Sequence, residues 1–281
     1  MILLTGATGT IGKATVAALQ NTDKQFRVAV RSPQQIQTKG VEAVALDLNE
    51  LDSYLPAMQR AEKLFLLTPN SERQVGYVVQ AIAAAKRAKV KHITRLSVMR
   101  ADADPGIILG RLHFAAEREL KASGIAWAVL RPTFLMQNFI NYYGVNPNQD
   151  SEVYLPHGRG EAAWVDASDV GEAAAKMLAT GGYEGKVFEL TGPEPITTKD
   201  VLTILGEEFG HRYTYVDVPE DVARKAMEEM KMPLWLVDGF MELHALVKYG
   251  YAAGLANGVQ TILGREPHTL REWARSVASQ K

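Results

Sequence analysis

The sequence predicts an α/β fold, a doubly wound parallel sheet followed by a smaller, mostly helical C-terminal cap. Three observations lead there. Short apolar runs alternate with longer helical patterns as far as Leu190. A glycine-rich turn joins the first run to the first helix. Beyond Thr191 the pattern becomes mainly helical. Such alternation implies parallel strands, helices on both faces and right-handed crossovers.

The strand candidates are residues 2–4, 26–30, 44–46, 64–67, 92–96, 127–130 and 187–190. Helical spacing between them predicts helices at 12–19, 51–58, 74–88, 112–122 and 168–178. The stretch 78–85 reads VVQAIAAA, nearly all apolar, as expected of a helix packed on a sheet. Thr191-Gly-Pro-Glu-Pro195 is a cluster of chain breakers. After it come helix candidates at 198–209, 220–230, 234–247 and 269–279, with a strand candidate at 213–218. The last helix opens on Thr269-Leu-Arg-Glu272, a capping box in which Thr and Glu side chains each satisfy the other's backbone N–H.

The sharpest chemical signal is Thr5-Gly6-Ala7-Thr8-Gly9-Thr10-Ile11-Gly12. It follows an apolar strand at once and leads into a helix. Gly6 suits the abrupt turn, Gly9 the approach of a pyrophosphate to bare backbone, and Gly12 close packing of helix on sheet. Free N–H groups and the positive end of the helix dipole then face the phosphates, with Ile11 in the same turn and the hydroxyls of Thr8 and Thr10 beside them. The fold is therefore expected to be Rossmann-type. Residues 1–191 are expected to bind NAD(P) and 192–281 to form a substrate-side cap. The segment 138–160 is expected to be irregular and to lie over the cleft.

The second strand candidate ends at Arg31. An NAD-selective site carries an Asp or Glu at that distance for the ribose 2′-OH, whereas a guanidinium forks onto a 2′-phosphate. NADP(H) is thus preferred over NAD(H), with an Arg that simply points to solvent as the competing reading. Asp47 and Leu48 end the third strand candidate, where an acid can accept from the adenine amine while Leu48 packs on the ring; an Asp helix cap competes with that reading. Pro132, Thr133 and Phe134 follow a buried strand at the carboxyl edge of the sheet, where ligands of open α/β sheets bind, and are candidates to face the nicotinamide; a Pro that simply ends the strand is the competing reading. Phe134, Met136, Asn138, Phe139 and Trp164 are candidates to line a planar acceptor's pocket, although such residues more often form core. Asp166 and Asp169 read better as a helix cap and a first-turn acid than as catalysts.

The composition narrows the function classes. With 31 Lys+Arg against 32 Asp+Glu the net charge is −1, which gives no global field for nucleic acid or an anionic membrane. No run of 18 apolar residues occurs. The 0 cysteines exclude disulfides, thiolate metal sites and cysteine nucleophiles. No paired-histidine metal motif, nucleophile elbow or P-loop is present, so no metal site is expected. With a strand beginning at residue 2, no signal peptide is expected, and a cytoplasmic location is.

These residues resemble the NmrA-like branch of the atypical short-chain dehydrogenase/reductase family over almost the whole chain. TGATGTIG resembles its glycine loop, LFLLTPN (64–70) its fourth strand and VKHITRLSV (90–98) its fifth. The segments 110–139, 164–178 and 187–197 are similar to its later landmarks. Within the branch, 110–139 is most similar to quinone and triarylmethane-dye reductases, which share a His-x-x-x-Glu helix. The resemblance implies that Leu67, Thr68 and Pro69 run beside the cofactor and that Ser97 matches a serine of the site. It also implies that Leu109 and His113 stand where the usual catalytic Tyr and Lys would be.

Reduction of a plain ketone makes a basic alkoxide and needs a placed acid, whereas a conjugated acceptor delocalises the incoming electron pair. The expected function is therefore NADP(H)-dependent hydride transfer to a quinone-like acceptor, a small planar conjugated substrate. His113 would assist as hydrogen-bond donor or acid and, with Ser97, Asn138 and Trp164, contact that substrate; a structural His lining the pocket is the competing reading of position 113. The rival is an NADP(H)-binding redox sensor without turnover, acting on a regulatory protein partner; a homodimer is also open. A sugar-nucleotide epimerase would need a proton-transfer residue that is not found.

Overall fold

A computed structural model describes residues 1–36, 38 and 40–279, the side chain of Gln35 excepted. In chain order the elements are β1 Ile2–Thr5, α1 Thr10–Gln20, β2 Phe26–Val30, β3 Glu42–Ala45, α2 Leu51–Met58, β4 Lys63–Leu66, α3 Gln74–Arg87, β5 His92–Leu96, α4 Ile108–Lys121 and β6 Ala126–Pro132. There follow α5 Asn138–Asn141, β7 Ser151–Leu155, β8 Glu161–Ala162, α6 Ala167–Thr180, β9 Lys186–Leu190, β10 Ile196–Thr197, α7 Thr198–Phe209, β11 Tyr213–Asp217, α8 Glu220–Glu229, α9 Leu234–Lys248, α10 Gly258–Leu263 and α11 Leu270–Ala278.

The chain packs as two compact units that interleave in sequence. One comprises residues 1–132, 167–189 and 261–264, the other 133–166, 190–260 and 265–281. Packing thus draws the division elsewhere than at 191. Met136, Phe139, Val153 and Trp164 share a core with Val201, Leu205 and Trp273, which draws 133–166 into the second unit. Helix α6 packs instead on α1, and β9 joins the main sheet.

The first unit is built on a seven-stranded sheet of order β3-β2-β1-β4-β5-β6-β9. Strands β1 to β6 pair in parallel register, for instance Leu3 with Arg27 on one side and Leu64 on the other. This is the Rossmann-type architecture expected. The chain winds outward from β1 to β3 and then crosses to β4, so the order reverses between β1 and β4. Ligands of such sheets bind beyond the carboxyl ends of the strands at that reversal.

Strands sandwiched between helices are largely apolar. Leu3, Leu64, Leu66 and Ile93 are fully buried with Tyr54, Met58 and Val78 of α2 and α3, each large apolar side chain contributing roughly 1.5–3 kcal/mol. Helix α6 approaches α1 through Gly171, where a Cβ would lie 2.6 Å from the Ala14 carbonyl carbon.

The second unit holds a parallel pair β7–β11, an antiparallel pair β8–β10 and helices around a separate core. The segment expected to be irregular, 138–160, contains α5 and β7. The structure there follows from alternation: Val153 and Leu155 turn inward while Glu152 and Tyr154 face out. Helix α11 begins with the expected capping box, Thr269 Oγ accepting from Glu272 N at 3.2 Å and Thr269 N donating to Glu272 Oε2 at 2.8 Å. Among the described residues no helix is long and apolar enough to cross a membrane.

The core of the second unit hides two histidines. His157 Nε2 and His244 Nδ1 are 2.8 Å apart, and His157 Nδ1 lies 2.8 Å from Thr198 Oγ. One ring must donate and the other accept, so at least one of the two imidazoles is neutral. Burial, then the charge of His244, lowers His157 to about 3; burial lowers His244 to about 4. The unfolded chain binds protons at these sites from about pH 6.5 downward while the folded chain resists, so stability rises with pH across that window and is lost on acidification. The double variant His157→Gln, His244→Asn is expected to flatten the fall in melting temperature between pH 6.5 and 4.5. The residual slope belongs to His92 and His113, which burial also lowers, and toward pH 4.5 to depressed carboxylates such as Glu117. An unchanged slope would show that the pair does not titrate on unfolding.

Candidate functional site

The turn after β1 is clipped to the strand across the reversal. Thr5 Oγ donates to the Leu67 carbonyl at 2.7 Å and accepts from the Leu67 N–H at 2.8 Å, all in the interior. Gly6 then takes a positive φ of 65°, and a Cβ there would stand 2.9 Å from the Leu67 Cβ. A Cβ on Gly12 would overlap the Gly6 carbonyl oxygen. Both glycines are therefore demanded by the fold itself.

Gly9 differs from them. Its φ of −80° and ψ of 173° suit any residue, and a Cβ there would meet the Gly6 oxygen at 3.4 Å, an ordinary contact. The fold does not require a glycine at this helix cap, which has no side-chain capping bond. Bare backbone at Gly9 fits an outside group that comes close, and the exposed Gly6, Thr8 and Gly9 with half-buried Thr10 leave the turn open. Ile11 is buried, and its carbonyl accepts from Thr15 Oγ at 2.9 Å. These features fit a dinucleotide diphosphate.

Arg31 is exposed just beyond β2. Asp47 is not a helix cap: its Oδ1 accepts from Asn49 N at 2.9 Å and Nδ2 at 3.3 Å, while α2 begins later behind Glu50. Leu48 packs on the unit's core, and its carbonyl accepts from the Tyr54 hydroxyl at 2.8 Å. Asn49 in turn receives Arg73 Nη1 and the Tyr77 hydroxyl, each at 2.8 Å. Leu67 is buried, Thr68 half-buried and Pro69 exposed. Pro132 is buried at the end of β6, accepting from Met99 N at 2.9 Å.

Two expectations are corrected in this unit. Ser97 is 1% exposed and donates its hydroxyl to Glu117 Oε1 at 2.6 Å. It serves an ion cluster rather than an open pocket. Arg131 grips the same carboxylate with Nε and Nη2, both at 2.8 Å, Lys121 adds a bond of 2.9 Å, and Arg131 Nη1 reaches Asp102 at 2.8 Å. Burial alone would raise the Glu117 carboxyl, but hydrogen bonds from Arg131, Ser97 and Lys121 outweigh it and hold it at about 2.

His113 is the other correction. It is 6% exposed, and burial, reinforced by the charge of Arg95, lowers it to about 3 against the opposing pull of Glu117. An imidazole that is neutral at pH 7 has no second proton to give, so it is not the near-neutral acid expected. Its two nitrogens lie 3.1 Å from the Gln74 side chain and 3.4 Å from Arg95 Nη2.

Thr133, Phe134, Asn138 and Trp164 belong to the second unit. Thr133 N donates to the Leu190 carbonyl at 2.9 Å. Asn138 hydrogen-bonds the Tyr143 hydroxyl, which burial pushes up to about 12. Trp164, expected to contact substrate, is 1% exposed, with edge contacts to Phe134 at 5.5 Å and Phe139 at 4.8 Å. It is core, as aromatic residues usually are.

Sequence reasoning assigned no role to Arg95, Gln74 or the Glu117–Arg131 pair. A signal was available for Arg95 and for Glu117, none for Gln74. Arg95 interrupts an otherwise uncharged strand, and residues 113 and 117 lie four apart on one helix face.

Comparison with known proteins places the chain. It is 33% identical over 282 residues to the NAD(P)H azoreductase of Xenophilus azovorans, covering 99% of this chain and 98% of that one. It is 28% identical over 288 residues to quinone oxidoreductase 2 of Escherichia coli, covering 97% and 96%. The crystal structure of an E. coli NADPH-dependent quinone oxidoreductase complexed with NADPH superposes with a TM-score of 0.84, at 26% identity over 99% of each chain. The model of the NmrA-like family matches residues 1–274, and the chain belongs to that family.

Proposed function

We propose that the protein is an NADP(H)-dependent oxidoreductase that passes hydride to a quinone-like conjugated acceptor. The observation that carries this reading is Gly9, the one glycine of the loop that the fold does not need and a close-lying diphosphate does. The azoreductase and quinone oxidoreductase relatives support the same class, since azo compounds and quinones are both conjugated acceptors.

Bound at the loop, the dinucleotide supplies the hydride; the remaining tasks fall to the chain. Backbone N–H groups at the start of α1 and the hydroxyls of Thr8 and Thr10 hold the diphosphate. Leu67, Thr68 and Pro69 border the cofactor at the end of β4. Arg31 reads the 2′-phosphate: it stands where an NAD-selective site has an acid, and no partner for its guanidinium occurs among the described residues. Leu109 and the neutral His113 stand in the positions where the resemblance puts a Tyr–Lys pair, so the chain offers no evident acid there. That favours an acceptor able to delocalise the charge itself, reduced mainly through positioning. The same lack of a proton donor favours, as a second reading, a cofactor-sensing protein without turnover.

Purified protein mixed with NADPH and a panel of quinones is expected to oxidise the nicotinamide above background. Binding without oxidation across the panel would select the sensor. Gly9→Ala is expected to leave stability within about 1 kcal/mol while weakening NADPH at least about tenfold, because a methyl at a helix cap is cheap and one against a phosphate is not. Equal NADPH affinity in Gly9→Ala would remove the central support. Arg31→Ala is expected to weaken NADPH by about 10- to 100-fold, the loss of charge-assisted hydrogen bonds, and NADH little. A parallel loss for both cofactors would refute the 2′-phosphate role.

A further inference from the structure

A line of polar side chains crosses the interior of the first unit from β5 to the end of β4. Arg95 is fully buried, and its Nη2 lies 3.4 Å from His113 Nδ1. Its Nε and Nη1 meet no partner among the described residues. Glu117 does not neutralise it by contact, being held by Arg131, Lys121 and Ser97. On the far side of the imidazole, Gln74 Nε2 lies 3.1 Å from His113 Nε2 and donates to Thr68 Oγ at 3.2 Å. Gln74 is itself 1% exposed, so its amide has little access to water.

Donor and acceptor capacities fix the protons along this line. A guanidinium only donates. Burial pulls Arg95 down to about 10, with Glu117 opposing, and it still carries its charge at neutral pH. His113 Nδ1 must therefore accept, which puts the single imidazole proton on Nε2. That N–H needs an acceptor, so the Gln74 amide must be turned over, with Oε1 in place of Nε2 toward His113, since amide oxygen and nitrogen are assigned from the hydrogen-bond network. The same Oε1 then accepts the Thr68 hydroxyl. With Nε2 left toward it, His113 would have to carry its proton on Nδ1, pointing at the Arg95 N–H groups.

We propose that Arg95 is a positioning residue that, through His113 and Gln74, turns the Thr68 hydroxyl proton inward, so that Thr68 shows only lone pairs beyond β4 and selects a donor group, hydroxyl or amine, of the bound dinucleotide. The ligand-facing half of this proposal rests on the cofactor reading above. The inner half concerns the protein alone. Thr68, half-buried, is the member of the line that reaches the strand end. Fixing its proton in advance removes the rotamer choice a free hydroxyl would have to make on binding.

The test separates the halves. In the full-length protein labelled with 15N-histidine and free of cofactor, long-range proton–nitrogen correlation spectra at pH 7 are expected to show His113 as the pure Nε2–H tautomer. Arg95→Met is expected to mix in the Nδ1–H form, and Arg95→Lys, which retains a donor, to restore the pure one. Should Arg95→Met not fold, the wild-type spectrum decides: an Nδ1–H or doubly protonated His113 overturns the proposal. NADPH titration is expected to be about fivefold weaker for Thr68→Val, the worth of one hydrogen bond, with rescue by Thr68→Ser. Arg95→Met added to Thr68→Val is expected to cost nothing further in affinity. Unchanged affinity in Thr68→Val, or additive losses in the pair, overturns the ligand-facing role. Failure of the wild-type chain to bind NADPH overturns both the cofactor reading and that role, while the spectrum still judges the Arg95 line.

Discussion

The turn between β1 and α1 closes so tightly that the Gly6 carbonyl oxygen occupies the place a side chain at position 12 would need. Much of the first unit is arranged around that closure. The clip from Thr5 to Leu67 brings the ends of β1 and β4 together across the point where the strand order reverses. Because helix α1 starts at once, its first N–H groups gather beside an open stretch of chain. Gly6, Thr8 and Gly9 stay exposed there, which is the condition for a charged ligand to be held by main-chain dipoles rather than by side chains.

Behind the strand ends, the interior of the unit holds charge in two contrasting ways. Glu117 is saturated: four hydrogen bonds from three side chains meet its two oxygens, and Arg131 reaches on to Asp102. Such clusters add little net stability over an apolar core, but losing one member leaves an uncompensated charge at a cost of several kcal/mol. Arg95 lacks a matching carboxylate and leans on a neutral imidazole instead. The desolvation of that cation is offset by the packing and hydrogen bonds of the unit, which makes its retention in a sheet strand a question of polarity and orientation more than of strength.

The architecture was legible where periodicity and breakers agree. The helix expected at 198–209 is α7 residue for residue, and the glycine loop sits between strand and helix as its spacing requires. Strand ends moved by a residue or two, as at β3, where Glu42 pairs with Arg27 ahead of the run expected at 44–46. The short strands β7, β8 and β10 were missed because their pairing partners lie far along the chain: β7 is specified by β11, about sixty residues later, while α5 and α10 are too short for a helical period to show. The site was legible for residues whose role is backbone geometry. It was not legible for Ser97, His113 and Trp164, because burial and donor count decide what they do, and both depend on neighbours distant in sequence.

The interleaving of the two units has a consequence for how the polypeptide is made. The chain passes between them at 132/133, 166/167, 189/190, 260/261 and 264/265. During synthesis, β1 to β6 leave the ribosome long before α6 covers α1 and before β9 closes the sheet edge beside β6. The half-made sheet must therefore wait with an apolar flank and an open edge exposed. No single cut in the gene releases either unit whole, so dissecting the protein calls for rewired chain order rather than truncation.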